Sequence, residues 1–386
     1  MPTLFAKIIF TFTALFSQNI DRDWDQGRYD TQLLSFQVNT FSSGYSIPWG
    51  MAFLPSGELL VSDISGSLWR VSKNGRKKRK IGNSLSVYYK GQGGLLDVQV
   101  HPDFELNKLI YMCYSDIKHK NRSHTTVARA VLNDHQLENF QIIYQVPEQL
   151  FTKISRHFGS RIVFDDAGYL YFSIGDRGMR DQAQDITLPN GKIHRIHDDG
   201  SIPKDNPFYH QKGAARTIWT YGNRNPQGLA IHPITGTIWE AEHGPRGGDE
   251  LNIIYKGHNY GWPVITHGIN YIGTKITNFT YKEGMDQPVW HWTPSIAVCG
   301  IQFYDGEAFQ PWQNNLLAAS LKFERLHRVV IENGEKVDEE IIFDAGSRVR
   351  DVEVGPMGLI YVALEDPGRI VQLSPLRKTP DLNRRN

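Results

Sequence analysis

Apolar residues in this chain recur at every second position in short runs, and the runs come in pairs. Six segments share one order: an alternating apolar strand, a turn bearing Pro, Asp or Gly, and a second apolar strand. They run from Gly50 to Ile64, Asp97 to Asp116, Arg161 to Arg177, Gly228 to His243, Gly300 to Leu321 and Asp351 to Glu365. Period-2 alternation around a Gly- or Pro-containing turn predicts a hairpin. Further strand-like runs follow some of them, as at Ser67–Ser72 and Gly368–Ser374. No convincing amphipathic helix intervenes. Six copies of such a unit predict an all-β, six-bladed β-propeller, with five or seven blades as the neighbouring counts. At roughly sixty residues each unit exceeds a minimal blade, and the excess falls in loops, where propellers place their chemistry.

With 386 residues, length alone would suggest two domains. A closed all-β ring lifts that expectation, because its blades share one core. The chain is therefore expected to be one catalytic propeller over residues 19–386, preceded by a leader at 1–18. Lys7, the apolar run Ile8–Phe16 and the polar pair Ser17-Gln18 have the order of a signal peptide. The run is too short to span a bilayer, no later segment has transmembrane length, and export to a periplasm or beyond is expected. A formal net charge of +1 argues against nucleic acid as a partner. The basic run Lys73–Lys80 reads as a solvated hairpin tip. Cys113 and Cys299 lie in apolar strand contexts, which predicts two buried free thiols.

The polar residues worth chemical attention flank the hairpins, where a propeller gathers them at one mouth. Gly91-Gln92-Gly93-Gly94 would let backbone approach a ligand, with Gln92 as donor and acceptor. His157, in Arg156–Arg161, is the best general-base candidate. Asn-Pro-Gln-Gly at 225–228 forces a turn that would project Arg224 and Asn225 into the mouth, where a guanidinium suits a carboxylate or oxyanion. Gly244-Pro245 exposes carbonyl oxygens, and Asp249 and Glu250 add carboxylates, a set suited to a hard cation. Arg348 and Arg350, two apart on a strand, face one side and repel unless an anion sits between them. With Arg224 and Lys322 they would make four cations, which a polyanionic small ligand would balance. The run Trp290–Thr293 offers an aromatic face for a flat ligand, although core packing explains Trp290 equally well.

These motifs together resemble the soluble pyrroloquinoline quinone (PQQ)-dependent aldose sugar dehydrogenases, the glucose/sorbosone dehydrogenase family. GQGGLL at 91–96, HFGSR at 157–161, GNRNPQG at 222–228 and EHGPRGGDELN at 242–252 carry the likeness. NYGWP at 259–263, SLKFERL at 320–326 and RVRD at 348–351 extend it, so that it covers about Pro48 to Pro375. The resemblance implies a six-bladed propeller with PQQ over the central channel. It implies His157 as the base for the sugar C1 hydroxyl and Arg224 as stabiliser of charge on the cofactor. Gln92 and Asn225 would position cofactor and substrate. Lys322, Arg348 and Arg350 would bind the cofactor carboxylates, with Trp292 against its plane. Gly244 and Pro245 would ligate a Ca²⁺ shared with PQQ, while Glu250 and the Tyr260 carbonyl would hold a second, structural Ca²⁺. The implied partners are an aldose and a separate electron acceptor, and the chain is expected as a monomer or homodimer. Arg156 departs from the acidic residue that the best-known glucose-oxidising members place before the histidine. Two other readings stay open at this point. One is a calcium-dependent propeller lactonase or esterase; the other is a non-catalytic extracellular propeller that binds glycan or protein.

Overall fold

The structure, a computed structural model, describes residues 27–83, 85–118 and 121–376. The expected leader lies outside these residues. Six antiparallel sheets form blades around an axis. From inner to outer strand, blade 1 is Pro48–Phe53, Leu59–Asp63, Leu68–Val71 and Lys78–Ile81. Blade 2 is Leu95–Val100, Leu109–Lys118, Arg122–Asn133 and Gln136–Gln145. Blade 3 is Ile162–Phe164, Leu170–Ile174, Lys192–Ile196 and Ile218–Tyr221, and blade 4 is Pro226–Ile231, Ile238–Glu242, Asp249–Ile254 and Trp290–Trp292. Blade 5 is Val298–Phe303, Leu316–Ser320, Arg325–Glu332 and Glu335–Asp344.

Blade 6 closes the ring. Its inner strands, Val349–Val354, Ile360–Leu364 and Gly368–Pro375, come from the C-terminal side, and Ser35–Tyr45 from the N-terminal side pairs with the last of them. Gly27–Asp30 adds a fifth strand outside. Both ends of the described chain are thus held in one sheet, so opening the ring requires breaking that ladder.

The six predicted hairpins are the two inner strands of the six blades. Those strands are buried on both faces, which is why their apolar runs stand out. Outer strands such as Gln136–Gln145 expose most of their residues, and their alternation is correspondingly faint. Both cysteines are free and buried, as expected. The basic run departs from a plain solvated tip. Lys78 lies in the outer strand of blade 1, with its ammonium 3.9 Å from the Tyr45 ring centroid and 4.5 Å from that of Trp69. Among the described residues no helix is long and apolar enough to cross a membrane.

The residues that open the six repeats meet at the axis. Three are glycines and three are charged: Gly50, Gly228 and Gly300; Asp97, Arg161 and Asp351. A Cβ on Gly50 would lie 2.5 Å from Asp97 Oδ1, and one on Gly300 would lie 2.4 Å from Asp351 Oδ1. Gly50 and Gly300 therefore make room for the carboxylates of the next blade, and Gly228 for the Cys299 carbonyl, which would lie 2.3 Å from such a Cβ. Arg161 Nη1 lies 3.1 Å from Asp97 Oδ1 and 3.0 Å from Asp351 Oδ1, and Nε donates to the Gln227 carbonyl at 3.1 Å. Its guanidinium also lies 4.6 Å from the Trp49 ring centroid. The second oxygens of the two aspartates accept the backbone N–H groups of Ile162 and Met51 on neighbouring blades. Burial pushes the Asp97 carboxyl up to about 7 despite Arg161, and pushes Asp351 up as well.

Removing one partner from a buried ion network leaves uncompensated charge, at a cost of about 3–5 kcal/mol. Arg161→Met should lower the unfolding free energy measured in urea by an amount in that range. Asp97 takes up its proton in the folded state below about pH 7, well above its unfolded pKa. The loss should therefore be larger at pH 8 than at pH 5. An equal loss at both pH values would contradict the role given to Arg161.

Candidate active site

At one end of the channel the blade connections enclose two adjoining cavities that share Pro245 and Tyr271 in their walls. The first, about 280 Å³, is lined by Gln92, Arg156, His157, Asp176, Arg180, Arg224 and Trp262, among others. The second, about 660 Å³, is lined by His243, Gly244, Arg246, Ser295, Lys322, Glu324 and Arg348, among others.

His157 sits on the link into blade 3 with φ at 53°, a left-handed conformation uncommon for a residue with a side chain. The surroundings hold it there. Its N–H donates to Gln92 Oε1 at 2.7 Å, and the N–H of Gly159 donates to Asn225 Oδ1 at 3.1 Å. Gly175 lies beneath, where a Cβ would come within 2.4 Å of the His157 carbonyl oxygen. Arg177, buried against Phe158 with its guanidinium 3.5 Å from the ring centroid, donates to the carbonyls of Ile154 and Arg156.

His157 Nδ1 is 2.6 Å from Asp176 Oδ1. Asp176 also accepts from the Gly178 N–H at 2.7 Å and, on Oδ2, from Trp262 Nε1 at 2.9 Å. Burial pushes this carboxyl up, but the bond from His157 and the charge of Arg224 bring it below the usual carboxylate range. An ionised carboxylate only accepts, so the imidazole keeps its proton on Nδ1 and presents a bare Nε2. Burial, reinforced by Arg224, holds His157 below the ordinary histidine value even though Asp176 pulls the other way. The imidazole therefore stays neutral and ready to accept a proton at neutral pH.

Arg224 is buried, and among the described residues its guanidinium has no carboxylate partner. Nη1 donates to the carbonyls of His243 at 2.7 Å and Gly244 at 2.8 Å, with Trp262 beside it. The backbone N–H groups of Arg224 and Asn225 both go to Glu242. Among the described residues, Arg224 Nε, Asn225 Nδ2 and His243 Nε2 are buried without a hydrogen-bond partner.

The expected sites fare differently. His157, Gln92, Arg224, Pro245, Gly244, Lys322 and Arg348 line the two cavities. Asn225 lies just beneath, tied to the His157 loop. Trp292, expected as a stacking face, is buried between blades 4 and 5, with Nε1 donating to Glu339 at 2.8 Å. Arg350 lies beside Arg348 with an internal partner. An anion does sit beside both arginines, but the protein supplies it, because Glu365 meets Arg350 Nε at 2.8 Å and Arg348 Nε at 3.3 Å. Arg350 also donates to Gln227 at 3.0 Å and is buried, whereas Arg348 is half-exposed. Sequence reasoning missed Asp176, Glu365 and Trp262, although the first two close predicted hairpins and the third lies in NYGWP.

Blade 4 holds an excess of buried acceptors around Glu250. Glu240 Oε2 accepts from Asn252 at 3.0 Å, while Glu240 Oε1 and Asn252 Oδ1 have no partner. Burial pushes Glu250 up to about 8 and Glu240 well above its ordinary value. The Tyr260 side chain is committed to the Ile253 carbonyl at 2.6 Å, which leaves only its main chain for the expected role. Among the described residues no three His, Cys, Asp or Glu side chains group as a metal site. Any cation here would need carbonyl, water or ligand oxygens as well.

Residues 45–372 match the family model for glucose/sorbosone dehydrogenase. Aldose sugar dehydrogenase YliI of Escherichia coli is 41% identical over 338 residues, covering 85% of this chain and 90% of the relative. The crystal structure of the soluble aldose sugar dehydrogenase of Escherichia coli in its apo form superposes with a TM-score of 0.83 at 37% identity, over 88% of this chain and all of that one. The PQQ-bound aldose sugar dehydrogenase of Streptomyces coelicolor superposes with a TM-score of 0.72 at 26% identity, over 88% of this chain and 98% of that one. Fold, mouth and comparison agree, and the chain belongs to the glucose/sorbosone dehydrogenase family.

Proposed function

We propose that this chain is an exported, PQQ- and Ca²⁺-dependent dehydrogenase that oxidises aldoses at C1 to lactones and passes the electrons to a separate acceptor. The observation that carries this reading is the His157–Asp176 pair, which leaves a bare Nε2 beside Arg224 and next to a cationic cavity. The residues present fit the cofactor. A flat tricarboxylate matches a cavity edged by Lys322 and Arg348, and the unpartnered nitrogens of Arg224, Asn225 and His243 offer donors nearby. The main-chain oxygens of Gly244 and Pro245 would face a Ca²⁺ that also contacts that anion, and the surplus oxygens around Glu250, with the Tyr260 carbonyl, suit a second. PQQ, when bound, supplies a two-electron acceptor for the hydride leaving C1, with Ca²⁺ as Lewis acid.

The chain's own part is to bind, orient and move a proton. His157 Nε2 takes the proton of the C1 hydroxyl, and Asp176 fixes the ring and stabilises the imidazolium that forms. Arg224, held rigid by two carbonyls, places positive charge where negative charge develops. The hydrolase reading needs carboxylates open to the channel, yet Asp97 and Asp351 are committed to Arg161.

Dye reduction by protein reconstituted with PQQ and Ca²⁺ tests the proposal across a panel of aldoses. Absence of turnover, together with no quinone absorbance retained after gel filtration, would overturn it. His157→Ala should lower kcat on the order of 10²–10⁴-fold while quinone absorbance is retained. The acid limb of kcat/KM should lie below the ordinary histidine value of about 6.5, because burial and Arg224 disfavour the protonated ring. Asp176→Asn removes the group that pulls this value up, so the limb should move lower still as kcat falls; a limb moving upward would contradict the pairing. Lys322→Ala with Arg348→Ala should weaken PQQ binding in a salt-dependent way, and unchanged affinity would remove the anion-binding role of this cavity.

A further inference from the structure

The smaller cavity carries more positive charge than oxidation of a neutral sugar requires. Besides Arg224 it is edged by Arg156 and Arg180, and its one lining carboxylate, Asp176, is committed to His157 and Trp262. Among the described residues no acidic side chain pairs with Arg156 or Arg180. Both heads are exposed at the rim, yet both are carried on braced backbone. Arg156 packs over the Asp176–Gly178 turn, close enough that a Cβ on Gly178 would lie 2.6 Å from its Nε. Arg180 opens a short 3₁₀ turn, Arg180–Ala183. The buried Lys192 ammonium clamps that turn by donating to the carbonyls of Gln182 at 2.8 Å and Ala183 at 2.9 Å. Two guanidiniums therefore stand on fixed supports beside the catalytic base, away from the Lys322–Arg348 cavity to which the cofactor carboxylates are assigned.

We infer that the preferred substrate is an aldose bearing an anionic group, a carboxylate or a phosphate, which Arg156 and Arg180 hold while C1 faces His157. The inference rests on the dehydrogenase reading for its chemistry but not for its binding. The planar guanidinium fork matches either anion with paired hydrogen bonds, and no comparable ligand exists on a neutral sugar. Tyr271 and Ile276 also line this cavity and offer apolar surface for the sugar's C–H face. They project from a turn rooted on Arg246, whose N–H and carbonyl pair with Ile269 at 3.0 and 3.2 Å. At about 280 Å³ the cavity suits a single sugar ring, small by the standards of ligand sites.

The test compares glucuronate, galacturonate and glucose 6-phosphate with glucose and galactose. Kinetics on the reconstituted enzyme run beside calorimetric titration of the protein without PQQ. The expected result is a kcat/KM for at least one anionic sugar about tenfold or more above its neutral counterpart, carried by KM and weakened by salt. The ratio should fall towards one in Arg156→Ala/Arg180→Ala, return in part with Lys at both positions, and turn in favour of glucosamine in Arg156→Glu/Arg180→Glu. Both residues are exposed, so circular dichroism should show these variants folded. A ratio at or below one, or a ratio the arginines do not change, overturns the inference while leaving a dehydrogenase of neutral aldoses standing. Arginine-dependent binding of an anionic sugar without turnover of any aldose keeps the subsite and overturns the dehydrogenase reading.

Discussion

The structure depends on one buried cation. Arg161 opens blade 3, bonds the aspartates that open blades 2 and 6, donates to a blade 4 carbonyl and lies against Trp49 of blade 1. One side chain thereby joins five of the six blades at the axis. The apolar surface between blades drives them together but does not fix their rotation about the axis, because hydrophobic burial is non-directional. The directional part comes from Arg161 and from the bonds each aspartate accepts from the next blade. Its neutrality is close, one guanidinium against two carboxylates, and burial answers the excess by raising the affinity of Asp97 for a proton.

From that centre a chain of polar contacts runs outward to the mouth. Gln227 accepts from Arg161 through its carbonyl and from Arg350 through its side chain; Arg350 meets Glu365, and Glu365 meets Arg348 at the cavity edge. Blade 3 reaches the mouth by another route, through the strained His157 link and the Asp176 turn. His157 and Arg224 are therefore held by buried partners that are themselves fixed, which is the condition for electrostatic stabilisation without reorganisation. The left-handed His157 backbone is sustained by Gln92, Asn225, Gly175 and Arg177 rather than by any preference of its own.

What the sequence made legible follows burial. The inner hairpins, apolar on both faces, announced six blades and their order, whereas the outer strands blurred into loop. The positions that open the repeats were visible as an alignment of Gly, Asp and Arg, yet nothing in one dimension says that three of them converge. The same limit holds at the site. The spacing of Arg348 and Arg350 asks for an anion, but Glu365 lies in the turn just past the next strand, and spacing alone does not distinguish an internal counter-ion from a ligand. The run Trp290–Thr293 reads as an aromatic face, yet its strand is the outermost of blade 4 and turns Trp292 into the packing against blade 5. Asp176 was passed over because an aspartate in a Gly-Asp-Arg-Gly turn looks like ordinary turn chemistry until His157 is seen beside it.

In the function proposed for it, the mouth holds a flat anion between the Lys322–Arg348 side and the bare nitrogen of His157. A crystal structure of the protein loaded with PQQ and a slowly oxidised aldose tests it most directly. Expected there are the cofactor carboxylates at Lys322 and Arg348, the sugar C1 hydroxyl within hydrogen-bond reach of His157 Nε2, and an unchanged His157–Asp176 pair. PQQ bound elsewhere, or a His157 ring turned away from the sugar, would contradict it.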